Sequence, residues 1–303
     1  MRLTLRQLSI FVAVADTGST SAAGDRIALS LSAVSGALKE LETLLGARLF
    51  DRVGNRLVIN DSGRALLAQA RPLLDAAQDI EILFGSGGEA SGSRGPAARL
   101  RVAASTTIGN YLLPALVARY QRSQPGTVVE IDIGNTREVA ASVARLEVDL
   151  GLIEGPCHEP ELRVLPWRED ELVIACSADH PLALQARAGR VGVKTLRAAR
   201  WLEREPGSGT REAVEQALLP HLHHLEASLQ LGSTEAIKQA AAEGMGLACL
   251  SACAVVDLVT LGRLVVLATT LPRLGRRFYL VHHRRKHFSA QLRGFADYLG
   301  MDR

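Results

Sequence analysis

The stretch "SLSAVSGALKELETLLGARLF", Ser30–Phe50, decides how the N-terminal part of this 303-residue chain folds. Val34, Leu38, Leu41 and Leu45 recur at helical spacing and predict one apolar face. Ser30 is placed to cap that helix by accepting from its unpaired N–H groups. Gly46 is placed to end it, because the residue after a helix often takes a left-handed backbone. The first turns carry Ser32, Ser35 and Gly36, weak helix formers whose presence needs a reason. Upstream, Thr4-x-x-Gln7 predicts a capping box, and Leu5, Leu8, Phe11, Val12 and Ala15 predict a helix stopped by Gly18. A short helix is expected over 21–27. Downstream, "LFDRVGNRLVIN" reads as two extended pieces around Gly54-Asn55, a hairpin signal.

Three short helices and a hairpin make a winged helix-turn-helix. In that motif the N-terminal part of the second helix of the pair enters the major groove. Small hydroxylated residues there let the backbone come close and can bond base edges or phosphates. The candidate DNA-contacting residues are therefore Ser19, Ser21, Ser30, Ser32, Ser35 and Lys39, with Arg52 and Arg56 of the hairpin on the flanking phosphates. An ordinary helical bundle with a loop is the alternative on pattern alone.

Asn60 or Asp61 should cap a long helix to about Phe84, apolar at Leu66, Leu67, Leu73, Leu74, Ile80 and Leu83. Pro72 should kink it or start a new segment. "GSGGEASGSRGPAA", Gly85–Ala98, reads as a hinge. From Arg99 strands and helices alternate, which implies parallel sheets with ligands at the strand C-termini. Four strand-to-helix junctions carry hydroxyls or amides: Ser105-Thr106-Thr107, Asn135-Thr136, Ser208-Gly209-Thr210 and Ser233-Thr234. One such junction alone is plain N-capping. Several converging on one cleft suit a small anion, because helix N-termini offer unpaired N–H groups and a positive dipole end. Ser105, Thr106, Thr107, Asn135, Thr136, Ser208 and Thr210 are the candidate effector-binding residues.

Composition narrows the classes. Hydrophobic residues are 47% and aromatics 4%, so the cores must be mostly Leu, Ala and Val. Charge or Gly breaks every long apolar run, so no membrane partner is expected, and the N-terminus lacks a clean export signal, which points to the cytoplasm. Net charge is +3, which permits nucleic-acid binding without demanding it. Cys249 and Cys253 read as small buried hydrophobes rather than a redox pair. "HLHH", His221–His224, reads as a surface turn after Pro220. No cluster has metal spacing, and no cofactor is expected. No Walker A or G-x-S-x-G motif supports an enzyme, although "GSGTR" invites that reading. A solute-binding protein would need an export signal and no helix-turn-helix.

The stretch Leu5–Arg52 resembles the N-terminal signature of the LysR-type transcriptional regulators. The matching residues are Gln7-Leu8, Phe11, Gly18-Ser19, Ala22-Ala23, Ser30, Ser32-Ala33-Val34-Ser35, Leu41-Glu42, Leu45-Gly46, Leu49-Phe50 and Arg52. The resemblance implies an α/β multidomain protein: an N-terminal winged helix-turn-helix with a linker helix, then a two-subdomain effector domain of periplasmic-binding-protein type. The expected limits are 1–60 for the DNA-binding domain, 61–86 for the dimerising linker helix, 87–98 for the hinge and 99–303 for the effector domain. Within the last, 99–165 with 268–303 form one subdomain and 166–267 the other. The implied partners are double-stranded DNA, a small anionic effector and a second or further copies of the chain, as homodimer or homotetramer. RNA polymerase is a further partner a promoter-bound regulator could meet. By resemblance Thr107 and Thr136 match effector-contacting positions, Ser208 and Thr210 lie where the second subdomain contributes, and Arg204 and Arg211 are candidate counter-charges. The chain departs from the family pattern at Gly24, where Ala is usual and glycine should cost about 1 kcal/mol. It departs also at Leu31, Gly36 and Ala37, where long polar side chains are usual. The target sequence is therefore not legible by analogy.

Overall fold

The computed structural model describes residues 3–54, 56–85 and 99–301. Asn55, the hinge expected over 87–98 and the side chain of Leu83 lie outside the described residues. The chain forms two compact units.

The first unit holds α1 (Leu5–Thr17), α2 (Thr20–Ile27), α3 (Leu31–Leu45), the hairpin β1 (Phe50–Val53) and β2 (Arg56–Ile59), and α4 (Asp61–Gly85). The caps follow the local chemistry. Thr4 and Gln7 form the reciprocal capping box, Ser19 caps α2, Ser30 caps α3, and Gly46 ends α3 with φ 67°. Asn60 caps α4, its Oδ1 accepting from the Gly63 N–H at 2.9 Å. Leu8, Phe11, Val14, Ala23, Val34, Leu38, Leu41, Leu49 and Phe50 form one core. Leu5 and Leu45 are exposed instead, because α1 begins and α3 ends beyond the reach of that core. The hairpin is tied down by the Leu49 N–H on Glu42 Oε1 at 2.8 Å and the Leu57 N–H on the Gly18 carbonyl at 2.9 Å. Gly24 is needed where it stands: a Cβ there would lie 2.5 Å from the Leu29 carbonyl oxygen. The expected cost of this glycine is thus offset by a close backbone approach that alanine would block.

Helix α4 runs through Pro72 without starting a new segment. Its Leu67 and Ala70 enter the core of the three-helix head, and Arg71 reaches Asp16 Oδ1 at 2.5 Å. Leu73 and Ile80, seven residues apart, are 51% and 60% exposed.

The second unit is one nine-stranded mixed sheet covered by helices. Its elements are β3 (Arg99–Ser105), a π-helical turn (Ile108–Leu112), α5 (Leu113–Ser123), β4 (Val128–Gly134), α6 (Thr136–Ala144), β5 (Leu150–Ile153) and β6 (Leu162–Ser177). Then come α7 (Pro181–Ala188), α8 (Val193–Arg197), β7 (Arg200–Arg204), α9 (Gly209–Leu222), β8 (Glu226–Leu231), α10 (Thr234–Ala242), β9 (Leu247–Ser251), α11 (Ala252–Thr260), β10 (Leu264–Val266), β11 (Leu274–His283) and, from Gly294 on, α12 (Ala290–Leu299). The order across the sheet is β4-β3-β5-β11-β6-β9-β7-β8, with β10 on β6. Strand β3 is parallel to β4 and β5, and β7 is parallel to β8 and β9. The long antiparallel pair β6 and β11 joins these two halves, so the cleft between them has strand C-termini and helix N-termini on both walls. Each half has a core of its own, one around Val139, Val143 and Ile153, the other around Trp201, Leu218 and Leu247.

The turn expected over His221–His224 starts later than the sequence suggests. Helix α9 passes Pro220 and ends at Leu222, and the chain turns at His223 with φ 65°. Leu218 and Leu222 bury the same helical face, which carries the helix past the proline.

Candidate functional site

Two surfaces collect the residues singled out from the sequence. In the first unit α3 stands as a ridge between two hollows. One, of about 690 Å³, is lined by Ser19, Thr20, Ser35, Lys39, Arg52 and Arg56, with Arg48 also facing it. The other, of about 420 Å³, is lined by Thr4, Arg6, Gln7, Ser32 and Gly36. Each hollow holds a helix N-terminus and arginine, the combination that accepts phosphate. Ser30 is committed to its cap: its Oγ accepts from the Ala33 N–H at 3.2 Å and lies 3.0 Å from Ser32 Oγ. Ser21 is exposed but does not line either hollow, and Thr20 stands there in its place. Thr4, Arg6 and Arg48 were not singled out as contact residues. Only the packing of α1 and the hairpin beside α3 brings them to this face.

In the second unit Thr106 and Thr234 meet at Arg204, while three of the hydroxyl junctions, through Thr107, Thr136 and Thr210, meet at Glu154. This carboxylate lies just past β5 and is 1% exposed. The Thr107 N–H donates to its Oε1 at 2.6 Å and the Thr107 hydroxyl to its Oε2 at 2.9 Å. The Thr210 hydroxyl donates to Oε2 as well. Arg276, from β11, donates to Oε2 through Nη1 at 3.0 Å and to Asp170 Oδ2 through Nε at 2.6 Å. Ser105 and Thr136 pair their hydroxyls at 3.1 Å next to the cluster. Across the cleft, Arg204 donates from Nη1 to Thr106 at 2.9 Å and to Thr234 at 2.7 Å. Tyr111 donates to Glu235, and the Arg137 N–H reaches the Gly207 carbonyl at 3.1 Å. Gly209 makes the closest approach: a Cβ there would lie 2.5 Å from Thr136 Oγ1 and 3.0 Å from the Glu154 carbonyl carbon.

Asn135 and Ser208 cap α6 and α9, and both capping side chains accept backbone N–H groups. Arg211 is paired with Glu203 and Glu215 and donates to the Arg204 carbonyl, and it also lines the pocket beside the cluster, whereas Arg204 bridges Thr106 and Thr234. Beside the buried cluster opens a pocket of about 550 Å³ that shares Thr136 and Ser208 with it and is also lined by Arg137 and His158. Burial opposes the charged form of Glu205, but the adjoining Arg204 guanidinium holds its carboxyl below the usual range.

Glu154, Asp170 and Arg276 escaped the sequence reading. A signal existed for the first: a charged residue directly after the all-apolar end of "VDLGLIEG" sits where a parallel strand meets the cleft. Arg276 lies in a basic run and has no local mark.

Burial raises the thiols of all four cysteines, Cys249 to about 12 and Cys176 to about 11. None is therefore a ready thiolate, and thiolates are the reactive species. Among the described residues no group of His, Cys, Asp or Glu is spaced to hold a metal, and no helix is long and apolar enough to cross a membrane.

A winged helix-turn-helix joined to a two-halved α/β unit with a polar cleft is the architecture of an effector-responsive regulator. Residues 5–64 match the bacterial regulatory helix-turn-helix model of the lysR family, and residues 93–302 match the LysR substrate binding domain. The chain belongs to the LysR family of transcriptional regulators. It is 47% identical to the HTH-type transcriptional regulator YeiE of Escherichia coli K12, over 98% of this chain and 97% of that protein. The regulatory domain of CcmR from Synechocystis PCC6803, solved in complex with 2-PG, is 33% identical with a TM-score of 0.61 and covers 67% of this chain and 95% of that one. A full-length OxyR variant from Pseudomonas aeruginosa shares the fold, with a TM-score of 0.77 at 24% identity over 99% of this chain and 95% of that one. The relatives are transcriptional regulators, and this chain is a regulator with an effector-binding domain rather than an enzyme.

Proposed function

We propose that this regulator is controlled by a small anion bound in the cleft of an effector domain spanning 99–303. The observation that carries this reading is the shell of donors around Glu154. A backbone N–H, two hydroxyls and a guanidinium, from three separate elements, meet on one carboxylate. A site that satisfies a built-in carboxylate is chemically suited to an incoming one. The neighbouring pocket, which reaches Thr136 and Ser208, offers the way in. The CcmR domain solved in complex with 2-PG supports a small-molecule effector here. The anion would displace or share the place of Glu154 and so shift the closure of the two subdomains, because a ligand moves an equilibrium by its differential affinity for the two states. A thermal-shift series with phosphate, sulfate and small carboxylates tests this. At least one anion should stabilise the protein, and should do so more strongly in Glu154→Gln, which removes the competing charge. Stabilisation by uncharged compounds alone, in both proteins, would overturn the reading.

We propose further that α3 and the β1–β2 wing of a head spanning 1–60 hold promoter DNA. The linker helix α4 then joins two heads. The support for pairing is the exposed Leu73 and Ile80, a heptad apart on α4. A homodimer or homotetramer doubles or quadruples the modest charge of each head, seven Lys/Arg against five Asp/Glu over 1–60. Such a protein acts where the promoter is, in the cytoplasm, within reach of RNA polymerase. Leu73→Glu combined with Ile80→Glu should give a monomer in analytical ultracentrifugation. An unchanged mass would place the interface elsewhere.

A further inference from the structure

We infer that Leu31 reads thymine: its side chain makes an apolar contact with the C5-methyl group of a thymine in the operator. The inference rests on the assignment of α3 as the helix that enters the major groove. Leu31 is the first residue of α3 and is 55% exposed. The head core takes Leu29 before it and Val34 after it, but not Leu31. At helical spacing it heads an exposed stripe, Leu31, Ser35, Lys39, whose Ser35 and Lys39 line the larger hollow. The first turn of a recognition helix is the part that meets base edges.

Its neighbours leave little else to read with. The Ser30 hydroxyl is held by its cap and by Ser32. Gly36 has no side chain, and a Cβ there would meet nothing within 4 Å. A leucine cannot hydrogen-bond a base edge. The one apolar group that a base pair presents in the major groove is the thymine methyl. Two small neighbours, Ser35 and Gly36, let the backbone come close enough for a leucine to touch it. A deeper-set helix with a single apolar tip therefore converts a missing polar reader into a preference for thymine.

The test uses the full-length protein and an operator selected from a random duplex pool. Each thymine of that operator is replaced in turn by deoxyuridine, which lacks only the methyl group. Affinities are measured at one fixed salt concentration for the wild type and Leu31→Ala. In each half-site one replacement should weaken the wild type about fourfold, the worth of one buried carbon, and should leave Leu31→Ala unaffected. Deoxyuridine costs that are zero throughout, or equal in the two proteins, would overturn the inference. If Leu31→Ala binds too weakly to measure, a second selection with Leu31→Gln decides. Glutamine pairs with adenine, so the preference at that position should move from thymine to adenine, and an unchanged preference would count against Leu31. Ser35→Glu on the same duplex separates the two readings. Normal binding by that variant removes the groove assignment itself, whereas lost binding with no deoxyuridine effect removes only the role of Leu31.

Discussion

The DNA-facing head and the effector cleft use the same residue types in opposite ways. On α3, Ser32, Ser35 and Lys39 stand on the surface, and the hollows on either side of the helix open outwards. In the cleft, Ser105, Thr107, Thr136, Ser208 and Thr210 are all buried; the hydroxyls of Thr107 and Thr210 hold Glu154, Ser105 and Thr136 hold one another, and Ser208 caps α9. The head thus presents polar groups to a partner that supplies its own charge. The cleft has taken a partner from within its own chain. The lesson is that a row of hydroxyls at helix N-termini marks an anion position without telling whose anion occupies it.

The largest effect that would break this contrast is on the head. Ser35→Glu places a carboxylate toward the phosphates, a like-charge contact that costs several kcal/mol. Operator binding should fall by about a hundredfold or more with an unchanged circular-dichroism spectrum, and normal binding would show that α3 is not the groove helix.

Next comes the closest approach in the cleft. Gly209→Ala adds a carbon 2.5 Å from Thr136 Oγ1, so the walls cannot close as they do here. Overpacking of this kind costs about 1–3 kcal/mol, and for a unit of this size the Tm should fall by about 2–12 °C. The anion response should fall with it, while operator binding by the head persists. A Tm equal to that of the wild type would mean that the walls part freely.

Thr107→Ala removes one hydroxyl from the Glu154 shell, a loss of about 1–2 kcal/mol. Its effector response, read as the midpoint of an anion titration, should weaken about fivefold to thirtyfold with basal operator binding intact. Equal loss of both would argue for misfolding.

Acid should act more gently, on the two carboxylates around Lys238. Burial opposes charge on Glu235 and Asp257, yet hydrogen bonds from Tyr111 and Gln239 to Glu235 and from Lys238 to both lower the two carboxyls. With folded values below the unfolded ones, these groups contribute stability that is complete above the ordinary carboxylate range. That stability is lost as pH falls below the ordinary carboxylate range and through the lowered values. A Glu235→Gln variant should lose less Tm than the wild type between neutral pH and about pH 3.5, and identical slopes would remove Glu235 from the account.

The smallest effect expected is none. Cys253→Ser should bind its operator as the wild type does with and without peroxide, because burial holds the thiol in its protonated form. A peroxide response lost in the variant would restore a redox role.

Much of the head was legible because its rules are local. Periodicity placed Val34, Leu38 and Leu41 inside, and cap chemistry placed Ser30 and Gly46 at the ends of α3. Local rules failed only where an element outruns its core, as at Leu5 and Leu45, or where a buried face overrides a breaker, as Leu218 and Leu222 do at Pro220. The cleft was legible in half. Its hydroxyls stand at junctions the sequence marks, but Glu154 and Arg276 are separated by more than a hundred residues and meet only because β5 and β11 are neighbours in the sheet. The helices, the wing, the alternation of strands and helices and the family were all written in the order of the residues. Which charges face each other was left to the packing of the sheet, because an ion pair depends on distance in space and sets no period along the chain.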